Sequence, residues 1–132
     1  MIEINNLSKG QWGINKLLIK KIVKNVLKAE DISESNIEIS IGIVSPEEIR
    51  KLNNNYRGKN KPTDVLSFGK IGDDLLEIVI CPEEVEKNGE SFNEELKRVV
   101  IHGILHLIGY DHEKSKKEAL EMFAKQDKYF QN

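Results

Sequence analysis

The segment from Val99 to Ile108 is apolar at nearly every position, and it constrains the fold more than any other part of the chain. A helix that is apolar all round has to be buried on every side. The Ser-x-x-Glu pattern that begins at Ser91 is a capping box, which places the start of such a helix there. Gly109 is the residue type that usually ends one. The rest of the chain must therefore pack around one central helix.

The rest of the sequence predicts an α+β fold. Alternation of apolar and polar residues predicts strands over Ile2–Asn5 and over the isoleucine-rich run Ile37–Val44, and two further short runs predict strands over Val65–Phe68 and Leu75–Cys81. Capping residues and amphipathic periodicity predict further helices over Asn15–Ala29, from Ser45 to about Asn54, over Pro82–Asn88, and from about His112 to Tyr129 with Asp111 as cap. Since 132 residues are enough for one ordinary domain, we expect residues 1–132 to form a single compact domain. It should hold a mixed sheet of about four strands packed on the central buried helix.

The composition excludes several classes of protein. With 20 basic and 22 acidic residues the net charge is −2, so the chain is not a generally basic nucleic-acid coat, and any contact with nucleic acid must be local. No apolar run approaches the roughly 18 residues of a membrane helix, and the first residues show no signal-peptide pattern. The single cysteine, Cys81, suggests a reducing compartment. We expect a cytoplasmic protein without membrane association.

All three histidines of the chain, His102, His106 and His112, fall within eleven residues. The first two are four positions apart, the spacing by which one helix offers two ligands to one zinc ion. His112 follows the turn at Gly109, which lets the chain return with a third nitrogen. Three protein ligands leave one tetrahedral position open, as in catalytic zinc sites, whereas unpaired core histidines would be costly to bury. We expect one zinc ion per chain, although imidazoles also suit nickel, copper and iron.

The histidine helix differs from that of zincin peptidases in one position. Their helix reads His-Glu-x-x-His, and the glutamate is the general base. This chain has Gly103 at that position. The histidine spacing is compatible with a metallopeptidase, but the missing glutamate opposes it. The sequence leaves the general base open, with Asp64 as one candidate.

A polar stretch after the second helix carries Arg57, Lys59 and Lys61, and it is predicted to be an exposed loop. Arginine offers a planar fork that binds phosphate in a bidentate manner, so a phosphodiester backbone would suit this stretch. A solvated loop without a ligand is the plain alternative. Asp64 could likewise only brace the turn at Pro62.

Three sequence patterns follow one another in a specific order: the pair Tyr56-Arg57, the run PTDVLSF that begins at Pro62, and the segment HGxLHLxGYDH from His102 to His112. Together they resemble the YbeY family, and the resemblance runs over nearly the whole chain. It implies a zinc-dependent, single-strand-specific endoribonuclease that acts in 16S ribosomal RNA 3′-end maturation and ribosome quality control. It further implies that the three histidines bind the metal and that Arg57 is catalytic.

These patterns together define the expected site and partners. Lys59, Lys61 and Asp64 are predicted to contact the substrate, which would be single-stranded RNA, in particular ribosomal RNA. Proteins of the small ribosomal subunit are further candidate partners. Two alternatives stay open: a metallopeptidase-like hydrolase, and a non-catalytic ribosome-assembly factor whose metal only stabilises the fold.

Overall fold

Four strands form one mixed sheet in the computed structural model, which describes residues 1–8 and 12–132. The strands are β1 (Ile2–Asn6), β2 (Ile39–Ile43), β3 (Val65–Phe68) and β4 (Leu76–Ile80). The helices are α1 (Lys16–Ala29), α2 (Pro46–Arg57), α3 (Pro82–Glu86), α4 (Phe92–Ile108) and α5 (Lys116–Gln131), with a short 3₁₀ turn at Glu34–Asn36. The predicted α+β fold is thereby confirmed. Within the described ranges, no helix has the length and apolar character needed to cross a membrane.

The strand order is β1-β2-β4-β3, with β3 at one edge. The first three strands in this order run parallel, and β3 runs antiparallel to β4. The register aligns Ile4 with Ile41 and Ile41 with Ile78, so neighbouring strands place their isoleucines on the same face. This face forms one side of the main hydrophobic core.

Helix α4 lies at the centre of the packing, as its apolar sequence predicts. Eight of its residues are buried, and it contacts β3, β4, α1, α3 and α5. A smaller cluster that includes Ile49 of α2, Leu66 and Cys81 forms a second core. Cys81 is a fully buried free thiol, and burial raises its pKa. Helix α4 therefore packs against β3 and β4. The histidine-bearing helix thus lies beside the edge strand β3.

Helix α2 is longer than the sequence predicted. It ends at Arg57 and not near Asn54, so Arg57 belongs to the last helical turn and not to a loop. The helix ends only where Gly58 adopts a left-handed conformation, with φ 68°. The N–H of Gly58 donates a hydrogen bond to the carbonyl of Asn54. Glycine adopts this left-handed conformation without steric cost, so the helix continues until it reaches one.

The start of the last helix was also predicted wrongly. Helix α5 begins at Lys116, where the side chain of Ser115 accepts a hydrogen bond from the N–H of Glu118. Asp111 does not cap this helix, because its carboxylate accepts from the N–H of Glu113 two residues on, in an Asx turn. His112 therefore lies in the loop between α4 and α5 and not on a helix.

Candidate metal centre and its cleft

The three histidines converge on one point. Ligand nitrogens of His102, His106 and His112 all lie within 4.8 Å of one another. His102 and His106 occupy successive turns of α4, and the ring of His112 lies 5.1 Å from each of theirs, measured between centroids. The chain returns to α4 because Gly109 ends the helix with φ 121°. The predicted clustering of the three side chains is thus confirmed.

Burial keeps the two imidazoles on α4, those of His102 and His106, neutral. It lowers the pKa of His102, and it lowers the pKa of His106 to about 4, with a further contribution from the two neighbouring imidazoles. Both rings are therefore uncharged at neutral pH. A neutral imidazole has a free lone pair, which is the form that binds a metal ion.

The geometry of the cluster fits a transition-metal ion such as zinc. The Nε2 atoms of His102 and His106 are 3.2 Å apart. Two nitrogens bound at about 2.0–2.1 Å to one tetrahedral zinc lie about 3.3 Å from each other. In the described part of the chain, the buried Nδ1 of His112 has no hydrogen-bond partner, so protein contacts do not satisfy this ring fully. Three imidazoles at this spacing are a donor set suited to zinc, nickel, copper or iron.

The histidines form one wall of a cleft of about 210 Å³. Helix α2, strand β3, helix α4 and the loop before α5 all contribute to it. The residues that line it are Arg57, Val65, Leu66, Ser67, His102, His106, Asp111, His112 and Glu113. The cleft thus combines a cluster of three imidazoles, one cation and two carboxylates with the edge strand β3 of the sheet.

Arg57 reaches this cleft from the end of α2. Its guanidinium donates a hydrogen bond to Glu113 over 2.6 Å, and its side chain is 37% exposed. From the sequence, only the family resemblance assigned Arg57 and the histidines to one site. The structure places them in one cleft, although 45 positions separate Arg57 from His102.

The other three predicted substrate contacts lie outside the lining of the cleft. Lys59 and Lys61 are exposed on the loop after α2. The carboxylate of Asp64 accepts a hydrogen bond from the amide of Asn88 at 2.9 Å, and its main-chain carbonyl accepts from the N–H of Cys81. Asp64 therefore braces the start of β3. The roles of these residues in binding substrate stay predictions.

The surroundings of Gly103 leave little space for the glutamate that zincin peptidases carry at this position. A Cβ at this position would lie 3.2 Å from a methyl group of Ile78 and 3.3 Å from Oγ of Ser67. The hydroxyl of Ser67 donates to the carbonyl of Gly103 at 2.9 Å. This side of α4 therefore packs closely against β3 and β4. A glutamate at position 103 would lack the space that the peptidase base has.

Sequence reasoning missed three residues at the site. Asp111 and Glu113 flank His112 and line the cleft, and the signal that could have found them is their position beside a candidate ligand. The N–H of Glu113 lowers the pKa of Asp111 by hydrogen bonding. Gln126 of α5 has its Oε1 2.9 Å from Nδ1 of His102. The sequence feature that could have indicated Gln126 is a polar side chain on the apolar stripe of an amphipathic helix.

Comparison with known proteins gives a consistent result. A sequence model of the family described as Endoribonuclease YbeY matches residues 3–132. Proteins named Endoribonuclease YbeY from Persephonella marina and Thermotoga maritima are 40% and 43% identical to this chain. The alignments cover 96% and 98% of it, and 89% and 86% of the relatives. A solution structure of a Thermotoga maritima protein is similar with a TM-score of 0.67 at 41% identity, covering 98% of this chain and 87% of that one. The chain therefore belongs to the Endoribonuclease YbeY family.

Proposed function

We propose that this protein is a zinc-dependent endoribonuclease that hydrolyses phosphodiester bonds in single-stranded RNA. Its biological role in this proposal is 3′-end maturation of 16S ribosomal RNA and ribosome quality control in the cytoplasm, in contact with proteins of the small subunit. The observation that carries the proposal is the cleft that three clustered imidazoles line together with Arg57. Membership of a family named for endoribonuclease activity supports the same substrate class.

His102, His106 and His112 would hold the metal. Burial lowers the pKa of His102 and His106 and so leaves their lone pairs available at pH 7, and α4 fixes the relative position of these two rings. When bound there, zinc supplies Lewis-acid polarisation of a phosphoryl oxygen and lowers the pKa of water toward neutrality. The loop that carries His112 is held in turn by the Asx turn at Asp111.

Arg57 would bind the phosphate that is cleaved. A guanidinium presents parallel N–H groups that match two phosphate oxygens, and it stabilises the negative charge that grows on them in the transition state. In the substrate-free cleft one of these N–H groups is used by Glu113. Bound RNA would therefore have to displace Glu113 from the guanidinium or share Arg57 with it.

Lys59 and Lys61 would act farther along the substrate. Both ammonium groups lie on the exposed loop directly after the helix that carries Arg57, where they can contact neighbouring phosphates as point charges. Asp64 borders this loop, and we assign to it a contact with the ribose or base of the bound strand. These three roles rest on proximity in the chain to Arg57.

The two alternative functions make different demands on the structure. A metallopeptidase of the zincin type needs a carboxylate at position 103, and this position faces Ile78 and Ser67 at close range. A non-catalytic assembly factor needs a metal that only stabilises the fold. The main core is built mostly from aliphatic side chains of the sheet and four helices, so we expect folding not to depend on the metal site.

The deciding experiment measures zinc content, cleavage and folding on the same preparation. We expect the purified protein to contain one zinc ion per chain and to cleave single-stranded RNA, but neither double-stranded RNA nor casein. Removal of the metal with a chelator should abolish cleavage while circular dichroism stays unchanged, and added zinc should restore cleavage. Unfolding on chelation would instead favour the structural role.

The ligand assignment has its own test. His106→Ala should lower the zinc content sharply and abolish cleavage. The matched control is Tyr56→Ala, which removes an exposed ring outside the lining of the cleft and leaves all three histidines in place. Full zinc occupancy in His106→Ala would contradict the assignment, and cleavage of casein by the wild type would favour the peptidase.

A further inference from the structure

Gln126 lies on the face of α5 that packs against the histidine helix. The two buried residues of α5 are Met122, four positions before it, and Tyr129, three positions after it. Residues at these spacings share one helix face. Gln126 is therefore a half-buried polar side chain between two core residues, and an amide shielded from water at such a position favours a hydrogen-bond partner within the protein.

The partner of Gln126 is His102. Its Oε1 lies 2.9 Å from Nδ1 of the imidazole. An amide oxygen can only accept a hydrogen bond, so Nδ1 of His102 carries the hydrogen. In a neutral imidazole the other nitrogen, Nε2, then keeps its lone pair. This Nε2 is the atom that lies 3.2 Å from Nε2 of His106.

We propose that Gln126 is a positioning residue of the metal site, which fixes the orientation and the tautomer of His102 so that Nε2 can bind the metal. The inference rests on the proposed metal site. Histidines that bind metals commonly donate their second N–H to an acceptor, and such acceptors raise metal affinity. Without Gln126, the hydrogen of His102 could occupy Nε2, from which it would have to leave before a metal binds.

Two substitutions separate this role from simple packing. Gln126→Leu places an apolar side chain of similar volume between α4 and α5 and thereby removes the acceptor. Gln126→Glu keeps the acceptor in place and gives it a negative charge, which makes the His102 ring a stronger ligand. Gln131→Leu is the matched control, because it makes the same change at an exposed position of the same helix.

The first measurement is zinc affinity, determined by competition with a chromogenic chelator. We expect Gln126→Leu to bind zinc about 10- to 100-fold more weakly than the wild type. Gln126→Glu should bind at least as tightly as the wild type, and Gln131→Leu should be unchanged. Wild-type affinity in Gln126→Leu would overturn the proposal. An equal loss in Gln126→Leu and Gln126→Glu would overturn it too, since packing alone would then explain the effect.

The second measurement reads the tautomer directly. Nitrogen chemical shifts of the His102 ring in the metal-free protein should show the Nδ1–H form in the wild type and a mixture of both tautomers in Gln126→Leu. A tautomer that is the same in both proteins would overturn the proposal. If the wild type binds no zinc, the proposed function fails, whereas the tautomer measurement still decides what Gln126 does to His102.

Discussion

Arg57 donates a hydrogen bond to Glu113 across the cleft, over 2.6 Å, although 56 positions separate the two residues in the chain. Both side chains are partly exposed, at 37% and 56%. Exposed ion pairs contribute about 0–1 kcal/mol to the free energy of unfolding. The pair is therefore too weak to be needed for folding, and its position beside the histidines points to a role in binding.

We expect Arg57→Ala to lower cleavage of single-stranded RNA by about 100-fold, because it removes a donor that stabilises charge in the transition state. Zinc content and the melting temperature should stay close to those of the wild type. Arg57→Lys should recover only part of the activity, since an ammonium cannot make the bidentate contact. Lys51→Ala, which removes a positive charge from the same helix, is the control. Near-normal cleavage by Arg57→Ala would exclude Arg57 from the mechanism.

We expect Glu113→Gln to bind single-stranded RNA more tightly, by about 2- to 10-fold at low salt, because the variant removes a carboxylate that occupies Arg57 and repels phosphate. The gain should fade as the salt concentration rises. Fluorescence anisotropy with a labelled RNA in the presence of chelator measures binding without cleavage. Glu3→Gln makes the same charge change on β1, at the edge of the sheet opposite to β3, and should leave binding unchanged. Weaker binding by Glu113→Gln would show that Glu113 helps to hold the substrate.

Substitution of Gly103 should damage the fold and should not create a peptidase. Gly103→Glu has to bury a carboxylate at the contact with Ile78 and Ser67, which is costly without a partner. Gly103→Ala adds only a methyl group at 3.2–3.4 Å from its neighbours and should be much milder. Thermal unfolding, with casein as a protease substrate, checks both points. A folded Gly103→Glu variant that cleaves casein would contradict the orientation of α4.

Glu30 connects the end of α1 to two distant tyrosines. Its carboxylate accepts hydrogen bonds from the hydroxyls of Tyr110, at 2.7 Å, and Tyr129, and Nζ of Lys125 lies 3.2 Å away. Burial alone would raise the pKa of Glu30, but these hydrogen bonds and the charge of Lys125 outweigh it, so the pKa lies below its ordinary value of 4.5. Between the two pKa values the unfolded chain binds more protons than the folded one.

The stability provided by Glu30 should therefore be fully present above about pH 4.5 and should disappear as the pH falls through the lowered pKa of the folded state. We expect Glu30→Gln to cost about 1–3 kcal/mol at pH 7 and progressively less as the pH falls through the lowered pKa of the folded state, below which the wild-type carboxyl is itself protonated. Melting temperatures of both proteins between pH 7 and pH 3 test this. Glu34→Gln, at an exposed position, is the control. A difference that does not change with pH would show that the charge of Glu30 is not what stabilises the fold.

Features that depend on neighbours in sequence could be predicted well. The apolar run after Val99 identified the central helix, and the spacing of His102 and His106 placed both rings on one face. Such features depend on helical periodicity, which the sequence displays directly. The position of Gly109 also sufficed to predict that the chain turns back toward the helix.

Features that depend on distant partners could not be predicted in this way. Nothing near Arg57 indicates that Glu113 faces it, and nothing near His102 indicates Gln126. The start of the last helix was missed because Asp111 and Ser115 are both good caps, and only the tertiary position of His112 decides between them. Arg57 was assigned to a loop because composition does not reveal how far a polar helix continues before its glycine.

The position of α4 in the chain has a consequence for biosynthesis. The isoleucine-rich strands are complete by Ile80, but the helix at the centre of their core is complete only at Ile108. During translation the aggregation-prone β segments are therefore synthesised before the helix that covers them. We expect folding to be late and cooperative, and a truncation inside α4, which removes part of the central helix, should yield insoluble protein.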